Sequence, residues 1–145
     1  MTLQSILLPL FVQIGLTFFL VIWMAKERMG HIQRREVKWQ DIALRQTAWP
    51  DRAQQIGNCF ENQFEIPVIF YVLAVLEIMT RKAGLPFVVM EWLFVATRIA
   101  HAYVFTTSNY VPLRGQFYIV GTLILLFMWG LFALQIFAGP SMGAL

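Results

Sequence analysis

Four long apolar stretches constrain this chain more than any other feature of its sequence. They cover residues 3–25, 60–79, 85–105 and 115–138, and each is close to the roughly 20 residues that a helix needs to cross a bilayer. The chain is 59% hydrophobic, whereas soluble domains are about 45–50% apolar. The sequence therefore predicts an all-α integral membrane protein, a bundle of four transmembrane helices forming a single domain over 1–145.

The distribution of basic residues predicts how these helices are oriented. Seven of the 11 lysines and arginines lie between the first two stretches, Arg114 lies on the same side, and only Arg81 and Lys82 mark the opposite side. Cytoplasmic loops of membrane proteins carry an excess of lysine and arginine. The long connection 26–58 is therefore predicted to be cytoplasmic, with both termini outside. The seven basic residues of this connection are Lys26, Arg28, Arg34, Arg35, Lys38, Arg45 and Arg52.

Polar side chains interrupt the two middle stretches at helical spacing. In the second stretch they stand at i, i+3, i+4 and i+7, which places them on one helical face. In the third stretch Arg98 and His101 lie roughly 11 Å and 7 Å from the cytoplasmic end, and Glu65 lies roughly 8 Å deep on the second. Arg114 and Lys26 are predicted to lie at about the same depth in the membrane. The four polar residues of the second stretch are Asn58, Glu61, Asn62 and Glu65.

This convergence predicts a functional site near the cytoplasmic side. Ionisable groups inside a membrane are rare, are usually paired, and by default mark a site. An ion pair between Glu65 and Arg98 would neutralise both charges. The structural alternative is that these groups only tie the second and third helices together. For Glu77 and Glu91, which lie near the outer helix ends, the structural role is favoured.

Three motifs in register resemble the MAPEG family, the membrane-associated proteins in eicosanoid and glutathione metabolism. They are NQFE at 62–65, RIAHAYVF at 98–105 and VPLRGQFY at 111–118. Their mutual spacing is that of the prostaglandin E synthase branch, and the similarity is greatest to small uncharacterised bacterial members. The resemblance covers all four predicted helices. It implies a homotrimeric four-helix bundle, here in a bacterial inner membrane.

The resemblance also implies a chemistry. Active members bind glutathione as a cosubstrate between neighbouring subunits, facing the cytoplasm, and act on lipophilic electrophiles that enter from membrane lipid. By position, Arg114 would lie near the glutathione sulfur as the catalytic residue, and positive charge on Lys26 would help to hold the anionic ligand. The predicted glutathione-binding residues are Lys26, Asn62, Glu65, Arg98, His101 and Tyr118.

Three positions depart from the pattern of active members. Glu61 stands near the place where they carry an arginine, Phe105 replaces a tyrosine, and Gly115 replaces a serine found in some. A carboxylate at the first position would repel the carboxylates of glutathione. These departures favour an alternative, a non-catalytic MAPEG-like protein that binds lipid or acts as a scaffold.

Other function classes fit the sequence poorly. A membrane thiol oxidase needs paired cysteines, and Cys59 is the only cysteine. A small proton-coupled multidrug transporter carries a glutamate in its first helix, whereas the first acid here is Glu27. The basic residues of the long connection are mixed with acids, so nucleic acid is not an expected partner. No metal site is predicted.

Overall fold

The structure is a bundle of α-helices. The computed structural model describes residues 2–43 and 48–138, and in these ranges all regular structure is helical. Four segments are long and apolar enough to cross a membrane, namely α1, the run from Asp51 to Met79, α4 and α5. The predicted all-α bundle of four spanning helices is confirmed. Its α-helices are α1 (Leu3–Gln33), α2 (Asp51–Glu61), α3 (Ile66–Met79), α4 (Leu85–Thr106) and α5 (Val111–Phe137), with short 3₁₀ helices at Trp39–Ile42 and Asn62–Phe64.

The connection predicted over 26–58 is partly helical. α1 continues to Gln33, and α2 begins at Asp51, because helical hydrogen bonding does not stop where the apolar stretch does. α1 ends where Arg35 takes a left-handed φ of 59°, and the Glu36 N–H bonds to the His31 carbonyl at 3.0 Å, a common helix-ending arrangement. Arg45, one of the basic residues of this connection, lies outside the described residues.

The second spanning segment is broken rather than continuous. After α2 the chain makes a 3₁₀ turn, and Glu65 has φ −96° and ψ −109°, which is not helical. Pro67 follows and cannot donate an N–H to the carbonyl of Gln63, and the loss of this hydrogen bond favours a kink or a break at this point. The break separates α2 from α3 and changes the direction in which Glu65 points.

The core lies mainly between α3, α4 and α5. Phe70 and Phe94 are fully buried, and their rings stack with centroids 4.7 Å apart. By contrast, Phe11, Phe18 and Phe127 are each more than half exposed on the outer faces. Such a surface is far more apolar than water would favour, and it suits contact with lipid.

Buried polar groups lie between the helices at two places. Gln13 on α1 donates to the Gln63 side chain at 2.9 Å, and Gln63 donates to the Cys59 carbonyl at 3.1 Å. Near the other end of the bundle, Glu77 and Glu91 are 2% and 0% exposed, with their carboxyl groups close enough to interact. Neither carboxyl group takes part in an ion pair within 2–43 and 48–138.

We expect the α4–α5 packing to depend on Gly121. A Cβ at this position would lie 2.6 Å from Thr97 Oγ1, and that hydroxyl already donates to the Phe94 carbonyl at 2.6 Å. Gly121→Val should therefore destabilise the fold by about 1–3 kcal/mol through overpacking. Gly130→Val is the matched control on the same helix, because nothing lies within 4 Å of its added Cβ. Thermal unfolding followed by circular dichroism in detergent would measure both, and equal Tm values for the two variants would contradict the expectation.

Candidate functional site

Most of the predicted site residues line one cavity. It has a volume of about 550 Å³ and lies where α2, the helix break, the end of α4 and the start of α5 meet. Five of the seven predicted residues face it, namely Asn62, Glu65, His101, Arg114 and Tyr118. The other lining residues are Asn58, Glu61, Phe105, Val111, Gly115 and Ile119.

Arg114 is held in place by the turn before α5. Its Nη1 donates to Asn109 Oδ1 at 2.5 Å, and its Cζ lies 4.0 Å from the centroid of the Phe105 ring. A guanidinium over an aromatic face is attracted by the ring's negative surface. In the part of the chain that the structure describes, no carboxylate forms an ion pair with Arg114. The remaining N–H groups of the guanidinium can therefore bind an anionic ligand.

His101 presents one ring nitrogen that has no partner among the described residues. Its Nδ1 lies 2.8 Å from the Arg114 backbone carbonyl. Because a carbonyl oxygen only accepts, Nδ1 must carry the proton in this hydrogen bond. Nε2 is buried and unpartnered, and in an imidazole with a single proton it is an acceptor. This nitrogen is therefore a buried acceptor that lacks a donor, on a residue that lines the cavity.

Glu65 and Tyr118 meet across the cavity. The Tyr118 hydroxyl donates to Glu65 Oε2 at 3.3 Å, which leaves the other carboxylate oxygen of Glu65 available. Asn62 Nδ2 donates to the Asn58 carbonyl at 3.1 Å, so the Asn62 side-chain oxygen is also available. These groups offer acceptors for an ammonium or amide N–H of a ligand.

Arg98 lies behind the cavity, and the predicted ion pair with Glu65 is absent. The Arg98 side chain is 0% exposed, and its Nη2 donates to the Asn62 carbonyl at 3.4 Å. Its Cζ is 5.6 Å from the Tyr118 ring centroid. The pairing was wrong because it assumed a continuous helix, whereas the break turns Glu65 to an exposed position. Arg98 is therefore a fixed positive charge close to the site, without a carboxylate partner among the ion pairs of the described residues.

Lys26 is not brought to this cavity within one subunit. It lies on α1, beside shallow clefts lined by Glu27 and Gln33 and by Phe19 and Trp23. The sequence predicted only the depth of Lys26 along its helix, and depth along a helix does not fix the direction of a side chain. Contact with a ligand in the cavity would need a second subunit.

The sequence reasoning missed residues that support the site. Asn109 holds the Arg114 side chain and has a left-handed φ of 51°, a conformation in which asparagine is enriched. Gln13 and Gln63 fix α1 against the helix break. These residues could have been noticed in the sequence. Asparagine in a short turn and glutamine in an apolar run are both unusual enough to indicate a structural role.

The charges of the cavity set what it can bind. Glu61 and Glu65 contribute two carboxylates, and Arg114 contributes one guanidinium. Such a surface suits a ligand that has both anionic and cationic groups. Within 2–43 and 48–138, no group of three His, Cys, Asp or Glu residues could hold a metal ion.

Comparison with known proteins identifies the family. A model of the MAPEG family matches residues 6–134, nearly the whole chain. No curated protein and no solved structure matches the chain. The matched region includes the second and third spanning segments, nearly all of the first and the fourth, and every residue of the cavity. The protein is therefore an integral, multi-pass membrane protein that belongs to the MAPEG family.

Proposed function

We propose that the protein is a membrane-embedded, glutathione-dependent transferase or peroxidase-like enzyme that acts on lipophilic electrophiles. The observation that carries the proposal is the single cavity shared by Asn62, Glu65, His101, Arg114 and Tyr118. Members of the MAPEG family generally use glutathione. By the resemblance, Asn62, Glu65 and His101 match positions that contact it in active members, Arg114 matches a position near its sulfur, and Tyr118 lies one turn further on. The cavity lies beside apolar helix faces, from which a lipophilic substrate can enter.

Several polar groups of glutathione can form hydrogen bonds or charge interactions with these residues. Glutathione carries two carboxylates, one ammonium group and a thiol. In the proposed pose the free Glu65 oxygen accepts from the ammonium group, and the Asn62 side chain and His101 Nε2 accept from amide N–H groups. Arg114 lies next to the sulfur. A nearby guanidinium favours the thiolate, which is the reactive form of the thiol.

The proposed reaction is a nucleophilic substitution. The thiolate sulfur attacks an electrophilic carbon of the substrate, a carbon–sulfur bond forms, and the leaving group departs with its electron pair. With an aryl halide the products are a thioether and a halide ion, and the thiol proton passes to water. Arg114 stabilises the negative charge on sulfur before the bond forms.

The proposed assembly is a homotrimer in a bacterial inner membrane. The connection 26–58 faces the cytoplasm, and both termini lie outside. The ligand lies between neighbouring subunits, so Lys26 of one subunit adds positive charge to the cavity of the next. This arrangement is supported by the position of Lys26 on α1, away from the cavity of its own subunit.

The proposal is tested by calorimetric titration of the purified protein with glutathione, combined with an aryl halide conjugation assay. We expect saturable binding and steady release of halide. S-methyl glutathione should bind without turnover, because it has no thiol. The absence of both binding heat and conjugation would refute the proposal.

A second candidate function is a non-catalytic, lipid-binding or scaffold role. Two observations favour it: Glu61 lines the cavity, and Phe105 lies beneath Arg114 without a hydroxyl. On this hypothesis, purified protein carries lipid in the groove between subunits and shows no thiol chemistry.

A further inference from the structure

A second cavity lies on the other side of α2. It is larger, about 910 Å³, and the described residues that line it belong to α1, to the α1–α2 connection (Ile42, Ala43 and Trp49), to α2 and to the 3₁₀ helix after α2. Only Glu61 is common to the two cavities. The five residues on which its properties depend are Arg28, Trp49, Phe60, Glu61 and Phe64.

The guanidinium of Arg28 is positioned in this cavity but is not neutralised. Its Cζ lies 4.9 Å from the centroid of the Trp49 ring, and its Nη2 would be 2.7 Å from a Cβ added at Gly57. The absence of a side chain at Gly57 therefore lets Arg28 lie directly on α2. Its Nε is buried and has no hydrogen-bond partner within 2–43 and 48–138. An arginine fixed in this way is ready to bind an anionic group, phosphate in particular.

Glu61 provides the opposite charge in the same cavity. Its carboxylate is close enough to Arg28 for the two charges to interact. The two side chains do not form a direct ion pair in the described part of the chain. A ligand that places a phosphate on Arg28 and an ammonium group on Glu61 would give each of these two side chains a partner of opposite charge. Such a headgroup is zwitterionic.

An apolar groove continues from the cavity along the membrane-spanning part of α1. The groove has a volume of about 360 Å³ and shares Phe60 and Phe64 with the cavity. Its other walls include Ile14, Phe18 and Val21. From Arg28 to Ile14 the helix rises roughly 21 Å. This length, which covers the cavity and the groove together, exceeds half of the ~30 Å hydrocarbon core of a bilayer, so the two together can receive the headgroup and part of one acyl chain of a lipid.

We propose that this cavity and groove bind one zwitterionic phospholipid of the ethanolamine class. Its phosphate lies on Arg28, its ammonium group lies on Glu61, and one acyl chain lies along Phe60 and Phe64 into the groove. A free zwitterion of similar charge would use the cavity but leave the groove empty. A purely anionic lipid would satisfy Arg28 but would be repelled by Glu61.

The test is native mass spectrometry of delipidated protein mixed with dioleoylphosphatidylethanolamine or dioleoylphosphatidylglycerol. We expect the ethanolamine lipid to be retained several-fold better than the glycerol lipid. Arg28→Gln should lower its retention about tenfold, as loss of a charged hydrogen bond does. Glu61→Gln should reverse the preference toward the anionic lipid. Gly57→Ala should also weaken retention, because it keeps the charge of Arg28 but displaces its guanidinium.

Arg35→Gln is the matched control, because it removes the same charge at an exposed position on the same end of the bundle. It should leave retention unchanged. Folding of each variant is checked by circular dichroism and size-exclusion chromatography. The reversed preference of Glu61→Gln is a second check, since an unfolded protein would not acquire a new selectivity.

Three results would overturn the proposal. The first is equal retention of the ethanolamine lipid by Arg28→Gln and the unmodified protein. The second is equal competition by soluble glycerophosphoethanolamine, which would exclude any role for the groove. The third is cross-linking of neighbouring subunits through Phe18→Cys with no lipid retained, which would show that another copy covers the groove. Glutathione titration of Arg28→Gln is a separate measurement, so this proposal and the glutathione proposal can fail independently.

Discussion

Replacing Arg114 with alanine is expected to lower the rate of glutathione conjugation by about a hundredfold or more. Arg114 is the cation in the cavity that has no carboxylate partner in the described part of the chain, and in the proposed pose it stabilises the thiolate. Removing one preorganised donor from the site of developing charge typically costs a factor of 100 to 1,000, roughly. Steady-state halide release at saturating glutathione would measure the loss.

A catalytic role of Arg114 can be distinguished from a structural role by comparing variants. His101 bonds to the backbone carbonyl of Arg114 rather than to its side chain, so Arg114→Ala should leave His101 in place. Arg114→Lys should recover only part of the rate, because lysine keeps the charge but not the planar fork of donors. Arg81→Ala, at the opposite end of the bundle, is the control and should have no effect. If Arg114→Ala reduced the Tm and the yield as severely as the rate, the residue would be structural.

Replacing Glu61 with arginine is expected to raise the affinity for glutathione at least tenfold. Glu61 adds a carboxylate to a cavity that must accept two carboxylates of the ligand, and the substitution converts repulsion into attraction. Glu61 is exposed, and at the effective dielectric constant near a protein surface two charges about 4 Å apart interact by roughly 4 kcal/mol, compared with about 1.4 kcal/mol for a tenfold change in Kd. Glu61→Gln should give a smaller gain, because it removes the repulsion without adding a positive charge. Calorimetric titration of the three proteins would establish the order.

Asp41→Asn is the appropriate control for Glu61. It removes one negative charge on the same end of the bundle, and its side chain can still accept the hydrogen bond from the Lys38 N–H. Its affinity for glutathione should equal that of the unmodified protein. If Glu61→Arg bound glutathione no better than Asp41→Asn does, electrostatic repulsion at residue 61 would not limit binding. If none of these proteins bound glutathione, the non-catalytic alternative would be favoured.

Much of the fold follows from the apolar stretches, because a spanning helix must satisfy all of its backbone hydrogen bonds in lipid. Hydropathy located the membrane part of each helix but not the helical ends in water, which is why α1 extends to Gln33 and α2 begins at Asp51. The break before Pro67 was missed because an apolar run containing a proline was interpreted as one helix. Pro67 was the residue in the sequence that could have indicated the break.

The site was predicted in part because polar residues at helical spacing share a face. Asn62, His101 and Arg114 come together as the spacing and the resemblance indicate. The predicted Glu65–Arg98 pair is not formed, because the spacing rule holds only while the helix is regular. Lys26 does not line the cavity, because the sequence gives its depth along the helix but not the direction of its side chain.

The burial of Arg98 has a consequence for the dependence of binding on ionic strength. Mobile ions screen exposed charges over about 8 Å at physiological salt, but they screen buried charges much less. Arg98 is fully buried behind Asn62 and Tyr118, so added salt cannot easily approach it. Its positive potential in the cavity should persist in concentrated salt. If the site binds an anionic ligand, the part of the attraction that comes from Arg98 should therefore depend less on ionic strength than the part that comes from Arg114.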